Sequence, residues 1–192
     1  MSAISRGVAE KLFDVCNWAH ETWILHRTLF DDNPDLQELG QGHQVYFLNH
    51  LNHVLREYSL LQMAKLHDPA VMSGRVNLSL AYILDYGGWD VATVGRLRTL
   101  KNRLDDLESQ IRPARNRILS HNDLVTLLDD QSLGGFTKDA DVEYFRILHE
   151  FVNCVFEQVT GSICAEFATF TRSDAQGVIR ALLAKSPRVD PR

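Results

Sequence analysis

Three arginines, an asparagine and a histidine lie within ten residues near the middle of the chain, in the stretch Arg112-Pro-Ala-Arg-Asn-Arg-Ile-Leu-Ser-His121. Arginine is permanently charged and offers several donors to phosphate oxygens, whereas histidine titrates close to neutral pH. Side chains of these two types are sufficient for phosphodiester chemistry without a metal ion. We therefore treat this stretch as the candidate site.

The overall composition is typical of one globular domain with a sizeable core, since 45% of the 192 residues are hydrophobic and 23% are charged. The formal net charge of -5 argues against a broad nucleic-acid coat, because that function needs a basic domain. The charge is nevertheless uneven, with seven basic and three acidic residues between Arg96 and Arg117. This local excess indicates either an anion-binding site or an ordinary solvated helix face.

The three cysteines, Cys16, Cys154 and Cys164, are odd in number and lack a paired spacing. Each lies in an apolar helical context, where a free thiol behaves as a small hydrophobic side chain. Reduced cysteines predict a cytoplasmic protein. The N-terminal residues lack the apolar core of a signal peptide, and no apolar run approaches the roughly 18 residues of a membrane span. We therefore expect no membrane partner.

Helical periodicity of apolar residues dominates the chain, and no convincing run of alternating strand residues occurs. The pattern predicts an all-α fold, an antiparallel helical bundle of about five to seven helices. Apolar spacing, caps and breaks predict helices at 6–30, 43–67, 77–86, 91–111, 140–171 and 173–185. The N-caps of the last four helices are, in order, Asn77, Asp90, Asp139 and Ser173. A further helix is predicted from Pro113 to about 120 or 128. We expect one domain over residues 1–172, followed by a C-terminal helix and flexible tail over 173–192.

Large apolar side chains at helical spacing are assigned to the core. On the helix predicted at 43–67, Val54 belongs to the buried face. The aromatic residues assigned to the core are Trp18, Trp23, Phe47, Phe145, Phe156, Phe167 and Phe170. The candidate site, in contrast, has few apolar residues that a core assignment would explain.

The arginines of the candidate site also raise an electrostatic question. If Pro113 begins a helix, the three arginines lie at its positive end, where each cation is unfavourable by roughly a few tenths of a kcal/mol. A bound phosphate would reverse that sign. Arg117 and His121 share a helix face, whereas Arg115 and His121 are about 120° apart on an ideal helix. The site therefore depends on a helix end, a second subunit, or both.

Arg115 is followed directly by Asn116, and five residues separate Arg115 from His121. This order, inside an all-helical domain, resembles the signature of the HEPN superfamily. Flanking segments extend the similarity to its abortive-infection U-type (AbiU-like) branch. These segments are Leu66-His-Asp-Pro69, Asn77-Leu-Ser-Leu80 and the stretch Ile111 to Asp123. The resemblance covers roughly residues 10–170.

The resemblance implies a helical bundle that forms a homodimer, with two Arg–His motifs across one cleft and no cofactor. Many members are metal-independent endoribonucleases in phage defence or toxin–antitoxin systems, whereas others bind RNA or protein partners without catalysis. In the first case His121 acts as general acid or base on the RNA 2′-OH or the leaving 5′-oxygen. Arg115 stabilises charge on the phosphoryl oxygens, and Asn116 orients His121 or a phosphate oxygen. RNA is the expected partner because the reaction uses the 2′-OH, and an antitoxin or regulatory protein is a further candidate.

Neighbouring polar residues are expected to support RNA binding, namely Arg112, Arg117, Ser120 and Asp123. The two arginines would contact the phosphate backbone. Asp123 departs from a pattern in the superfamily, since some HEPN toxins carry at this position a tyrosine that an antitoxin modifies. Control by that modification is therefore not implied for this chain.

A second polar cluster lies on the helix predicted at 43–67. Its members share one helix face and could supply metal ligands, namely His43, His50, His53 and Glu57. Ligands from the first helix could complete such a site, with His20, Glu21 and His26 as candidates. A polar stripe or a dimer-facing polar cluster is the alternative interpretation of the same residues.

Overall fold

The computed structural model describes residues 4–39, 44–112 and 139–185. Within them the chain is helical apart from connecting loops and one short hairpin, so the predicted all-α class is confirmed. The helices are α1 (Arg6–His26), α2 (Leu36–Leu39), α3 (Val45–Leu66), α4 (Leu80–Tyr86), α5 (Val91–Glu108), α6 (Ala140–Thr160) and α7 (Phe170–Lys185). The antiparallel strands β1 (Val71–Met72) and β2 (Arg75–Val76) form the hairpin between α3 and α4. This hairpin was not predicted, because two residues per strand are too few to show an alternating pattern.

The end of α1 is a π-helical turn over Arg27–Asp31. The backbone N–H of Asp32 donates to the carbonyl of Arg27 at 2.7 Å, which is the wider i→i+5 bond of a π-helix. The adjacent residues Leu29 and Phe30 are both buried in this turn. The predicted first helix at 6–30 is therefore correct in extent, with its last turn widened.

The N-caps of α4 and α5 test two sequence assignments. Asp90 caps α5 as predicted, accepting a hydrogen bond from the Thr93 N–H at 2.7 Å. The cap of α4 is Ser79 rather than Asn77, because the Ser79 hydroxyl accepts from the Tyr82 N–H. The Asn77 side chain instead donates to the carbonyl of Pro69, which closes the hairpin loop.

The predicted continuous helix over 140–171 is wrong at its C-terminal end. Helix α6 stops at Thr160, and Gly161 adopts a left-handed conformation with φ 72°, the usual C-terminal stop. Residues 161–169 are not helical, and α7 begins at Phe170. Ser173 therefore lies inside α7, where its hydroxyl donates to the Phe170 carbonyl, instead of capping the helix.

The chain divides into two compact units. Among the described residues, the first unit contains 4–18, 60–112 and 139–167, and the second contains 19–39, 44–59 and 168–185. In the first unit α5 packs along α6, with Leu97, Leu104 and Phe151 fully buried. The second unit has its own cluster of buried apolar side chains, formed by Leu29, Phe30, Leu39, Leu48, Ala175 and Ile179. The predicted domain boundary at residue 172 stays a prediction.

The aromatic core assignment is partly wrong. Phe145 and Phe167 are buried as predicted. Trp18, Phe47 and Phe170 are instead 55%, 64% and 77% exposed, and Val54 is exposed as well. Helical spacing alone does not distinguish these positions, because a helix that packs on one side leaves other apolar positions in solvent.

Candidate functional site

The predicted catalytic residues Arg115, Asn116 and His121 lie outside the described residues, as do Arg117, Ser120 and Asp123. Arg112, in contrast, is described, and it lies four residues after Glu108, the last residue of α5. The structure therefore shows what precedes the Arg–Asn–His motif. The segment that precedes the motif, α5 and the residues up to Arg112, belongs to the first unit.

Arg112 is held by a buried carboxylate. The side chain of Glu108 has no exposed surface, and the Arg112 Nε donates to its Oε2 at 2.8 Å. The Arg112 Nη2 donates to the same oxygen. The hydrogen bonds and the charge of Glu108 raise the pKa of Arg112. Within the described part of the chain, the buried Oε1 of Glu108 has no hydrogen-bond partner.

One turn earlier on α5, a buried polar network joins three helical elements. The Nδ1 of His67 lies 2.7 Å from an Asp105 carboxylate oxygen, and the His67 Nε2 lies 3.0 Å from the hydroxyl of Tyr144. The Lys101 ammonium donates to the other Asp105 oxygen at 2.6 Å. His67 follows α3, Asp105 lies on α5 and Tyr144 lies on α6, so the network fixes the C-terminal half of α5 within the first unit.

The electrostatics of this network favour a charged Asp105 and a neutral Tyr144. Partial burial opposes ionisation of Asp105, but hydrogen bonds from His67 and Lys101 and the Lys101 charge outweigh it and lower the pKa of Asp105. Complete burial, with smaller contributions from Cys16, Glu108 and Asp105, raises the pKa of Tyr144 well above its ordinary value. Because Tyr144 is fully buried, it cannot contact a substrate directly.

Sequence reasoning did not identify this network. His67 was noted only within the segment Leu66-His-Asp-Pro69, and its partners are 38 and 77 residues away along the chain. The only sequence signal for a buried role of His67 is its position directly after the apolar end of a helix. It does not specify either partner.

Most of the described basic side chains between Arg96 and Arg112 are paired with carboxylates. Arg103 donates to Glu143 on α6 at 2.6 Å, and Arg96 lies 3.4 Å from Glu157 on the same helix. Lys101 and Arg112 pair with carboxylates of α5 itself. The α5 cations therefore act mainly as internal ion pairs, which reduces the anion-binding surface expected from the sequence.

The proposed metal cluster is not formed by the described residues. His50, His53 and Glu57 are exposed on α3, and His43 lies outside the described residues. Over residues 4–39, 44–112 and 139–185, no group of three or more His, Cys, Asp or Glu side chains is arranged to hold a metal ion.

The candidate ligands on α1 have other contacts in the second unit. The Nε2 of His26 lies 2.9 Å from the Asn52 side-chain oxygen, and its ring stacks on Trp23. The Nδ1 of His20 lies 3.2 Å from the Ala168 carbonyl, and the Glu21 carbonyl accepts from Thr171. These contacts explain the rings of His20 and His26 as structural.

A cysteine–histidine pair in the first unit is also structural. The Cys164 Sγ lies 3.6 Å from the His149 Nε2, but that nitrogen is 2.9 Å from the Ala165 carbonyl and is therefore its donor. Burial raises the pKa of the Cys164 thiol to about 11. A neutral thiol beside a nitrogen that is already donating is not an activated nucleophile. All three cysteines are free and buried, as the sequence indicated.

The all-α fold and the ordered residues Arg115, Asn116 and His121 of the sequence agree with the HEPN class of helical proteins. The chain belongs to the AbiU2 family of HEPN proteins, whose family model matches residues 3–181. The match confirms the resemblance inferred from the motif and covers α1 to most of α7. No curated protein and no solved structure matches the chain. None of the described helices is long and apolar enough to cross a membrane.

Proposed function

We propose that this protein is a metal-independent endoribonuclease that cleaves RNA through Arg115, Asn116 and His121. The observation that carries the proposal is the presence of this ordered motif in a chain that belongs to a HEPN family. We further propose that the protein acts in the cytoplasm, in phage defence or a toxin–antitoxin system, with an antitoxin or regulatory protein as a partner.

The reaction is a transesterification followed by release of a cyclic product. The RNA 2′-oxygen forms a bond to phosphorus, and the bond from phosphorus to the 5′-oxygen breaks. A base takes the 2′-OH proton and an acid protonates the leaving 5′-oxygen, giving a 2′,3′-cyclic phosphate and a 5′-hydroxyl. His121 supplies the acid or base, while Arg115 stabilises the negative charge that develops on the phosphoryl oxygens. Asn116 orients His121 or a phosphate oxygen.

A homodimer resolves the geometric problem of the motif. Arg115 and His121 are about 120° apart on an ideal helix, so one copy does not present both on one face. Two copies across a cleft supply two imidazoles, one as base and one as acid. Within each copy, the ion pair of Arg112 with the buried carboxylate of Glu108 anchors the chain three residues before Arg115.

The test is incubation of purified protein with total RNA, with and without chelator. We expect cleavage that persists in chelator and yields 2′,3′-cyclic phosphate ends. His121→Ala and Arg115→Ala should each lower the rate by roughly 100-fold or more. Arg75→Ala, an exposed arginine on β2, is the matched control and should cleave normally. Undiminished cleavage by His121→Ala would contradict the assignment.

A second function, RNA or protein binding without catalysis, is favoured by one observation. Most of the α5 cations are already paired with carboxylates, on a chain of net charge -5. Such a protein would bind RNA in a salt-sensitive manner that Arg115→Ala abolishes, but would produce no cleavage products. The same gel therefore distinguishes the two functions.

A further inference from the structure

One face of α3 exposes an unusual set of side chains to solvent. Tyr46 is 86% exposed, Phe47 64%, Val54 45% and Tyr58 39%. The exposed residues His50, His53 and Glu57 fall between them. On an ideal helix these seven positions span an arc of about 140°, and we refer to them together as the α3 face.

The opposite side of α3 provides the packing contacts of the second unit. Leu48 belongs to its apolar cluster, and Ser59 is fully buried with its hydroxyl donating to the Leu55 carbonyl at 2.7 Å. The α3 face is therefore not part of that core. The seven positions include three aromatic residues, a single carboxylate and no lysine, which is the aromatic enrichment and charge depletion found at the core of protein–protein interfaces.

We propose that the α3 face is the homodimer interface and that its occupant is the α3 face of a second copy, running antiparallel. A two-fold axis between His53 and Val54 places His50 of each copy opposite Glu57 of the other. The imidazole can then donate a hydrogen bond to the carboxylate, and the symmetry forms this pair twice.

The ends of the face fit the same arrangement. Tyr46 and Tyr58 lie near opposite ends of the face, so antiparallel pairing brings each within side-chain reach of the other in the second copy. A two-fold interface must be self-complementary, and the pairing of His50 with Glu57 meets this requirement in charge. The inference rests on the dimer of the proposed function and specifies which surface forms it.

The first test is sedimentation velocity over a concentration series. Phe47→Asp should raise the dimer dissociation constant roughly tenfold or more, because it replaces a large apolar side chain that the interface buries with a charge. Phe170→Asp is the matched control, since Phe170 is a similarly exposed phenylalanine, on α7. Equal effects of the two variants, or a wild-type protein that is monomeric at all concentrations, would overturn the inference.

A charge exchange tests the pairing itself. His50→Glu and Glu57→Lys should each weaken the dimer. His50→Glu places two carboxylates opposite each other, and Glu57→Lys removes the carboxylate that accepts the hydrogen bond from His50. The double variant recreates an opposite-charge pair across the axis and should recover most of the wild-type dimer. Positions 50 and 57 are about 10 Å apart along one helix, so recovery reports contact between copies. A double variant weaker than both single variants would contradict the register.

A cross-link tests the position of the axis. Val54→Cys places a thiol beside the proposed two-fold axis, so a short bis-maleimide should join two copies of the variant. Ser173→Cys, exposed on α7, should not cross-link. The native cysteines are buried and provide little background.

These experiments separate the inference from the proposed ribonuclease activity. A dimeric, RNA-cleaving protein whose α3 variants remain dimeric would overturn the inference and leave the activity intact. Loss of RNA affinity in Phe47→Asp without a change of oligomeric state would also overturn it, because the face would then act as a stacking surface for bases. If the α3 variants weaken the dimer, the interface is supported even when the wild-type protein does not cleave RNA. In that case only the catalytic proposal is contradicted.

Discussion

Asp105 is bound through one carboxylate oxygen to the Nδ1 of His67, at 2.7 Å, although the two residues are 38 positions apart. The side chain of His67 is 3% exposed, and that of Asp105 is 32% exposed. This contact, together with the Tyr144 hydroxyl on the other ring nitrogen, ties the end of α3 to the end of α5 in the first unit. The candidate site begins at Arg112, seven residues after Asp105.

Asp105→Asn should lower stability in a pH-dependent manner. Because the folded-state pKa of Asp105 is lowered, its charge contributes stability above the unfolded-state pKa of about 3.9, and this contribution is lost as the pH falls through the folded-state value. We expect the variant to be less stable than the wild type by about 1–2 kcal/mol at pH 7 and to approach it as the pH falls below the folded-state pKa of Asp105. Urea unfolding across pH 3–7 measures the difference.

Asp106→Asn is the matched control for that experiment. Asp106 is the next residue on α5 and is exposed. Its replacement should change the free energy of unfolding by less than about 0.5 kcal/mol at every pH. Parallel pH profiles for the two variants would exclude a specific role for the contact between His67 and Asp105.

Arg112→Ala should destabilise the protein because it leaves the buried carboxylate of Glu108 without its cation. Breaking such a pair costs about 3 kcal/mol, reduced here because Arg112 is 49% exposed. The double variant Glu108→Gln/Arg112→Ala should be more stable than Arg112→Ala alone, since it removes the unpaired charge. Thermal unfolding of the two single variants and the double variant tests this, and strictly additive effects would count against it.

Arg98→Ala and Arg103→Ala should affect RNA binding differently, if RNA binds at α5. Arg103 is paired with Glu143, whereas Arg98 is exposed and has no carboxylate partner among the residues that the structure describes. A free cation that contacts phosphate contributes about one unit to the slope of log affinity against log salt. We expect Arg98→Ala to reduce the slope by about that amount and Arg103→Ala to reduce it less. The reverse order would show that the ion pair opens on binding.

Gly161→Ala should destabilise the protein by about 1 kcal/mol, because Gly161 has φ 72° and an alanine there is strained even though no atom lies within 4 Å of the added carbon. Gly177→Ala, inside α7 and equally free of close neighbours, should instead stabilise by about 0.5–1 kcal/mol. Chemical denaturation of both variants measures the two opposite signs. A Gly161→Ala variant as stable as the wild type, or more stable, would contradict the role of the left-handed Gly161 in ending α6.

The helical class and the cap at Asp90 could be predicted because they depend on residues close together in sequence. The end of α6 could not, since Ile163 and Phe167 continue the apolar spacing after Gly161 has already stopped the helix. Ile163 is 70% exposed and Phe167 is buried, so the same spacing carries two different environments.

The candidate site shows the same division. The motif Arg115, Asn116 and His121 could be read from the sequence and led to the correct family. The pairing of Arg103 with Glu143 could not, because it depends on the packing of α5 against α6 across 40 positions. Sequence alone therefore overestimated the positive charge that α5 offers to a ligand.

The π-helical turn at Arg27–Asp31 has a consequence for comparison with related chains. A turn closed by an i→i+5 bond holds one residue more than an α-helical turn, so the chain accommodates that residue without rotating the preceding part of α1. A relative that lacks one residue here can keep the buried face of α1 and still bring Leu29 and Phe30 to their cluster. An alignment gap of a single position within this turn would then mark a local change of winding rather than a shift of the whole helix.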